Sequence, residues 1–93
     1  MLNYGSVLSS LTFKGAQMIL GFDDVSQYLT CPEKYLGAVV GPVCNRIENG
    51  EFVVGDTHYK VTTNDGKNCL HSNALLVERL WDVTKHDCDS VTF

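Results

Sequence analysis

The chain has 93 residues and a net charge of −4, with seven Lys and Arg against eleven Asp and Glu. That length allows at most one domain, and a core of that size buries roughly 60–65% of the unfolded chain's surface. Ordering the backbone costs on the order of 100 kcal/mol, so burial, or surface borrowed from a partner, must offset nearly all of it, and self-association is expected. The cations are spread singly and form no basic stripe for a phosphate backbone, which argues against a nucleic-acid partner. No apolar run nears the roughly 20 residues that span a bilayer, and Met1-Leu2-Asn3-Tyr4 has neither the charge nor the apolar stretch of a signal peptide. A cytoplasmic chain without a membrane partner is therefore expected.

In chain order, Val7 to Phe13 carries β-formers in partial alternation, and Gln17 to Leu20 is a short apolar run after a turn at Lys14-Gly15. Two early strands follow from that pattern. Between Phe22 and Tyr35 the periodicity dissolves into Asp23, Asp24, Ser26, Thr30 and Pro32, which predicts a loop with at most one helical turn over Val25 to Leu29. Gly37 to Gly41 reads as a close-packed strand rather than a phosphate loop. Glu51 to Val54, Gly55-Asp56, then Thr57 to Val61 is a hairpin signature, because Gly tolerates the positive φ of a tight turn. Asn49-Gly50 is a second turn signal, which would join a strand through Arg46-Ile47 to the hairpin as a meander. The polar cluster Asn64 to Asn68 lifts the chain out of the sheet before Leu70-His71, so His71 sits at a strand end or in a loop. Arg79 to Thr84 and Ser90 to Phe93 read as two further strands. Short strands with frequent turn signals and no long helix predict an all-β sandwich or barrel, antiparallel throughout, with residues 1–93 as a single domain.

The cysteines Cys31, Cys44, Cys69 and Cys88 form no C-x-x-C element and are expected as free thiols. His86-x-Cys88 supplies two potential metal ligands without a second pair, so no metal is expected. No nucleophile elbow, P-loop or dinucleotide fingerprint is present. What remains is a polar set, Asn45, Arg46, Asn68 and His71, emerging from β-rich surroundings. Planar amides and a guanidinium make paired hydrogen bonds to vicinal hydroxyls, and an imidazole donates or accepts a proton, which suits a sugar. Glu33, Glu48, Glu51 and Glu78 read as solvated carboxylates, His58 as a cross-strand residue, and Trp81 as core or sheet surface.

Asn3 to Leu11, Leu20-Gly-Phe-Asp23, Tyr35-Leu-Gly-Ala38, Gly41-Pro-Val-Cys-Asn-Arg-Ile47, Gly50-Glu-Phe52, Tyr59, Asn64-Asp-Gly66, Asn68-Cys-Leu-His71 and Trp81 resemble, in order and spacing, the early part of the aldose 1-epimerases, or galactose mutarotases. The resemblance implies an antiparallel β-sandwich of the galactose mutarotase type, here truncated, and interconversion of the α and β anomers of aldoses such as galactose or glucose without cofactor. In that family a glutamate acts as general base on the anomeric hydroxyl while a histidine protonates the ring oxygen. Carried over by motif, Asn45 and Arg46 bind sugar hydroxyls, and His71 is the first of two histidines, an auxiliary near the ring oxygen. The second histidine and the glutamate lie later in the family, so residues 1–93 are expected to form a partial domain holding the sugar-binding half of a site, inactive alone. A complementary C-terminal chain or a second copy would be its partner. The alternative is a non-catalytic β module that binds sugar or associates with itself. Two departures stand out: Ser72-Asn73 follow His71 where the family usually has glycines, and Gly41-Pro42 stands where it commonly has Gly-Arg.

Overall fold

The computed structural model describes all 93 residues, Met1–Phe93. They fall into two compact units, residues 1–39 with 77–93, and residues 40–76. Every paired strand is antiparallel and every sheet is two-stranded, with a single short α-helix, so the expected all-β class is observed. That helix is too short to cross a membrane, and no other exists to do so.

In the first unit, Thr12–Phe13 (β1) pairs with Ala16–Gln17 (β2) across the Lys14-Gly15 turn, where both residues have positive φ. The expected strands are longer than those observed, because the residues on either side commit their backbone groups elsewhere. Leu8 donates to the Gly37 carbonyl at 2.8 Å, and Val7 accepts from Leu2 at 2.9 Å. The Gln17 side chain extends the short ladder, its Oε1 accepting from the Leu11 N–H at 2.9 Å and its amide donating to Ser10 at 2.7 Å. The close-packed strand expected over Gly37 to Gly41 does not form; the segment is tied by individual bonds such as Val39 N–H to Gly5 O, and the Val39 side chain stays 41% exposed.

The helical turn anticipated near Val25 extends to α1, Val25–Thr30. Its start is a capping box: the Asp24 carboxylate accepts from the Ser26 N–H at 2.8 Å, and Gln27 Oε1 accepts from the Asp24 N–H at 3.2 Å, so donors left open by the first turn are satisfied. It stops at Cys31 because Pro32 disfavours helical geometry in the residue before it. The helix buries Tyr28, whose hydroxyl accepts from the Phe22 N–H at 3.0 Å and whose ring meets Phe22 edge-on with centroids 5.0 Å apart. Gly5, Ser6, Val7, Tyr28 and Val77 are the buried residues of this unit.

The predicted strand Arg79 to Thr84 is not formed. Residues 79–81 instead pair with the chain's start, where Gly5 donates to Arg79 O and Trp81 to Asn3 O, both at 2.8 Å, around an antiparallel bridge between Tyr4 and Leu80. Regular pairing resumes only at Lys85–His86, which lies antiparallel to Val91–Thr92. Glu78 binds Lys34, and its carboxylate holds the Lys34 ammonium above the ordinary lysine range.

The second unit contains Arg46–Ile47 (β3), Glu51–Val54 (β4), Thr57–Lys60 (β5) and Cys69–Leu70 (β6). β4 and β5 form the expected hairpin, with Phe52 opposite Tyr59, their rings stacked at 5.1 Å, and His58 opposite Val53. The meander is corrected: β3 pairs with β6, not with β4. Glu48–Gly50 forms a 3-10 turn in which Asn49 and Gly50 both have positive φ, and this bend sends β4 away from β3. The hairpin is closed at its base by the Val61 N–H to Gly50 O bond at 2.8 Å, and the chain then returns to β3. Ile47 and Cys69 stand opposite each other on the inward side of the β3/β6 pair, Cys69 only 2% exposed. Cys31, Cys44, Cys69 and Cys88 are all free thiols, as expected.

Two expected outcomes follow from this packing. Gly37 (φ +64°) and Gly55 (φ +59°) share a left-handed backbone, but a Cβ on Gly37 would lie 2.5 Å from Leu8 O, whereas nothing lies within 4 Å of one on Gly55. Gly55→Ala should cost about 1 kcal/mol from the backbone alone, and Gly37→Ala should cost at least about 2 kcal/mol in urea melts. The Asp24 carboxyl is held below its ordinary value by its hydrogen bonds from Ser26. A depressed folded value means that its contribution is fully present above the unfolded carboxyl's range and is lost as pH falls through the folded one. Amide exchange at Ser26 and Gln27 should therefore quicken in acid before that of β4 and β5, and Asp24→Ala should abolish the difference.

Candidate functional site

The β3/β6 pair continues beyond its last backbone rung through side chains. Arg46 stands opposite Leu70, so the next pair is Asn45 and His71. In a regular antiparallel ladder these two would exchange both of their N–H···O bonds. The His71 N–H does donate to Asn45 O at 2.9 Å, but the reciprocal Asn45 N–H donates to the His71 ring at Nδ1, also at 2.9 Å. The reason lies in the backbone of His71, which turns to φ +52° and begins a run of four left-handed residues, His71 to Ala74. Its own carbonyl leaves the ladder, and the imidazole takes the acceptor's place. Further along, Ser72 Oγ accepts from the Val43 N–H at 2.9 Å and donates to Val43 O at 3.0 Å.

A left-handed turn costs roughly 1–2 kcal/mol per non-glycine residue and is ordinarily a single-residue event. Four consecutive cases, His71, Ser72, Asn73 and Ala74, place stored backbone strain directly at the candidate histidine. Ala74, 6% exposed, is the buried residue of this turn. Asn45 is itself left-handed at φ +63°, a conformation Asn tolerates better than most residues.

Arg46 is oriented by Asp65, whose Oδ2 accepts from Nε at 2.6 Å, and by Asn45, whose Oδ1 accepts from Nη1 at 3.4 Å. Both partners of the Arg46/Asp65 pair are partly solvated, at 53% and 37% exposure, so the pair contributes orientation more than stability, about 1 kcal/mol or less. Asp65 is held by a tight turn, in which Asn68 donates to Asp65 O and Asp65 donates to Asn68 O. Asn64 clips this turn to β6 through both of its amide atoms, accepting from the Leu70 N–H at 2.7 Å and donating to Leu70 O at 3.0 Å.

Of the four polar residues singled out from the sequence, Asn45, Arg46 and His71 therefore form one hydrogen-bonded cluster. Asn68 does not join it, since its Oδ1 accepts from the Asn49 N–H at 3.3 Å and braces the turn before β4. Asp65 and Ser72 are the members that sequence reasoning missed. Asp65 looked like part of a turn, and only the β3/β6 register brings it to Arg46. Ser72 was visible only as a residue following the histidine. Glu48, Glu51 and Glu78 are engaged at the surface with Lys67, Lys60 and Lys34. A cavity of about 740 Å³ belongs to the other unit and is lined by Asn3, His86, Cys88 and Phe93 among others, with no residue of the cluster.

Chemically, the cluster offers a carboxamide, a guanidinium fork and an imidazole. With Nδ1 accepting from Asn45, the neutral ring carries its proton on Nε2 and is a hydrogen-bond donor there.

Comparison with known proteins identifies relatives for the whole chain. A model of the aldose 1-epimerase family matches residues 1–93. The galactose mutarotase of Bos taurus is 38% identical over 87 residues, which cover 87% of this chain and 25% of the relative. Among solved structures, galactose 1-epimerase from Lactobacillus acidophilus superposes with a TM-score of 0.81 at 30% identity, covering 95% of this chain and 26% of that one. A GalM/aldose epimerase homologue from C. elegans superposes with a TM-score of 0.84 at 33% identity, covering 96% and 29%. The chain thus spans about a quarter of the length of the galactose mutarotases that it matches, and its fold is of the galactose mutarotase type. A match over every residue, at this identity and with this superposition, means that the chain belongs to the aldose 1-epimerase family.

Proposed function

We propose that these 93 residues carry the sugar-binding half of an aldose 1-epimerase site, with Asn45, Arg46 and His71 meeting the hydroxyls and ring oxygen of an aldose such as galactose or glucose. The observation that carries this reading is the mutual bond between Asn45 and His71 at the end of the β3/β6 ladder, which gathers an amide, a guanidinium and an imidazole into one cluster. The relatives' names supply the ligand class: a galactose mutarotase and a galactose epimerase act on a sugar of that kind. Arg46, fixed by Asp65, offers its remaining guanidinium donors to vicinal hydroxyls, and the imidazole's Nε2–H assists at the ring oxygen. Residues 1–93 form one partial domain in this reading, working in the cytoplasm.

Turnover requires an acid and a base that these residues do not supply. Asp65 is committed to Arg46, and Glu48, Glu51 and Glu78 to lysines. A positioned acid or base contributes about 10²–10⁴-fold each, so the chain alone binds and barely catalyses, and catalysis returns when a longer polypeptide or a complementary chain brings those groups. One observation favours a second reading, self-association without catalysis: Val53 and Val54 of the hairpin are 52% and 61% exposed beside an open strand edge, the kind of surface that recruits another strand.

Titration with galactose followed by NMR should shift Asn45, Arg46 and His71 with a dissociation constant in the millimolar range, about 4 kcal/mol of binding. Arg46→Ala should weaken binding about tenfold, the scale of one hydrogen bond to a charged group. Shifts confined to other residues would remove the assigned site. Polarimetry of fresh α-D-galactose should run at the buffer rate with the chain alone and accelerate when a C-terminal complement from a relative is added; full activity from the chain alone would refute the division into halves. Light scattering separates the second reading, for which a dimer indifferent to Arg46→Ala and His71→Ala is expected.

A further inference from the structure

We infer that Ser72 is a positioning residue for His71: its hydroxyl clamps the backbone of Val43 and thereby holds the Asn45 N–H against Nδ1, so that the imidazole keeps its proton on Nε2. The geometry has two steps. Ser72 Oγ meets both polar groups of Val43, accepting from N–H at 2.9 Å and donating to the carbonyl at 3.0 Å, which fixes the two peptide groups that flank the Val43 Cα. Two residues later the same segment donates from Asn45 to His71 Nδ1. The bond from the His71 N–H to Asn45 O closes the ring of contacts, so the imidazole's orientation and tautomer depend on where Val43 is held.

The left-handed backbone explains why a side chain has this task. In register, the bonded pair after Asn45 and His71 would be Val43 with Asn73, but His71, Ser72 and Asn73 are all left-handed and the strand does not continue, so the Val43 and Asn45 N–H groups lose their ladder acceptors. The Nδ1 of His71 and the hydroxyl of Ser72 stand in for the two missing rungs. A serine hydroxyl suits the second position because it accepts and donates at once, whereas glycine or alanine could do neither. The consequence for a ligand rests on the sugar-binding reading above: a single tautomer presents one defined donor, where a mixture would present a donor in only a fraction of molecules.

The test needs no sugar. In the full chain with ¹⁵N-labelled histidine at about pH 8, long-range ¹H–¹⁵N spectra report the tautomer of each of the three imidazoles, and His58→Gln and His86→Gln assign the other two. His71 should show an unprotonated Nδ1 and a protonated Nε2. Ser72→Gly accepts the left-handed backbone without a Cβ, so it retains the fold while losing the hydroxyl. It should move His71 toward a mixture of tautomers and speed amide exchange at both Val43 and Asn45 about fivefold, the effect of losing one net hydrogen bond. Ser72→Ala should do the same, and if it fails to fold, Ser72→Gly decides alone. A wild-type tautomer in Ser72→Gly would overturn the inference, even if exchange at Val43 quickened, because the hydroxyl would then be structural only. Galactose titration is a separate arm: a tautomer change in Ser72→Gly together with no galactose binding by the wild type would leave the positioning role standing and sink the sugar-binding reading.

Discussion

The reciprocal contact between Asn45 and His71 is the constraint around which the second unit is arranged. It is the last rung of the β3/β6 ladder and also the first contact of the candidate site, so sheet pairing and site geometry are one event. Without it, the Asn45 N–H and carbonyl would be left to solvent and the ladder would end one pair earlier, at Arg46 and Leu70. The chain resolves this by letting an imidazole and a hydroxyl complete a ladder that the left-handed turn interrupts. Arg46 then follows from register: one residue inside the rung, it is placed beside Asp65 by the pairing of Arg46 with Leu70 and by the clip from Asn64 to Leu70.

The strain of that turn has to be offset by burial that this chain has in short supply. Buried side chains are few in each unit, Val7, Tyr28 and Val77 in one and Cys69 and Ala74 in the other, while Leu20, Leu80 and Phe13 are largely exposed. Much of the local order comes instead from short-range polar devices: the Asp24 capping box, the Gln17 bracket around β1 and β2, and the Asn64 clip on β6. Such devices satisfy backbone groups at modest net gain, about 1 kcal/mol each, and they resist local unfolding without requiring a large core. Membership of a family whose matched galactose mutarotases are about four times as long accords with this exposure of apolar surface.

The parts of the fold readable from the sequence were those specified by neighbours. Gly55-Asp56 between two β-rich runs determines a hairpin whatever surrounds it, and the structure forms it in that register. The helical turn over Val25 to Leu29 was placed correctly, although it runs on to Thr30, and Asp24 and Pro32, which read as loop residues, are its cap and its stop. The parts not readable were those in which a backbone group chooses among distant partners. Arg79 to Thr84 has strand-like composition, but its first residues bond to Asn3 and Gly5, and regular pairing begins only at Lys85. The meander failed for the same reason, since Asn49-Gly50 signals a turn but not which way β4 leaves it.

The motifs from Asn3 to Trp81, among them Gly41 to Ile47 and Asn68 to His71, were enough to name the family, because side-chain chemistry and order along the chain are properties of the sequence itself. Only the tertiary structure decided that β3 meets β6, that Asp65 rather than another acid orients Arg46, that Asn68 braces a turn, and that Ser72 holds the strand facing His71. Each of these is a contact between residues far apart in the chain. Their formation depends on the left-handed turn at His71 and on the closure of the intervening hairpin, neither of which local propensity encodes.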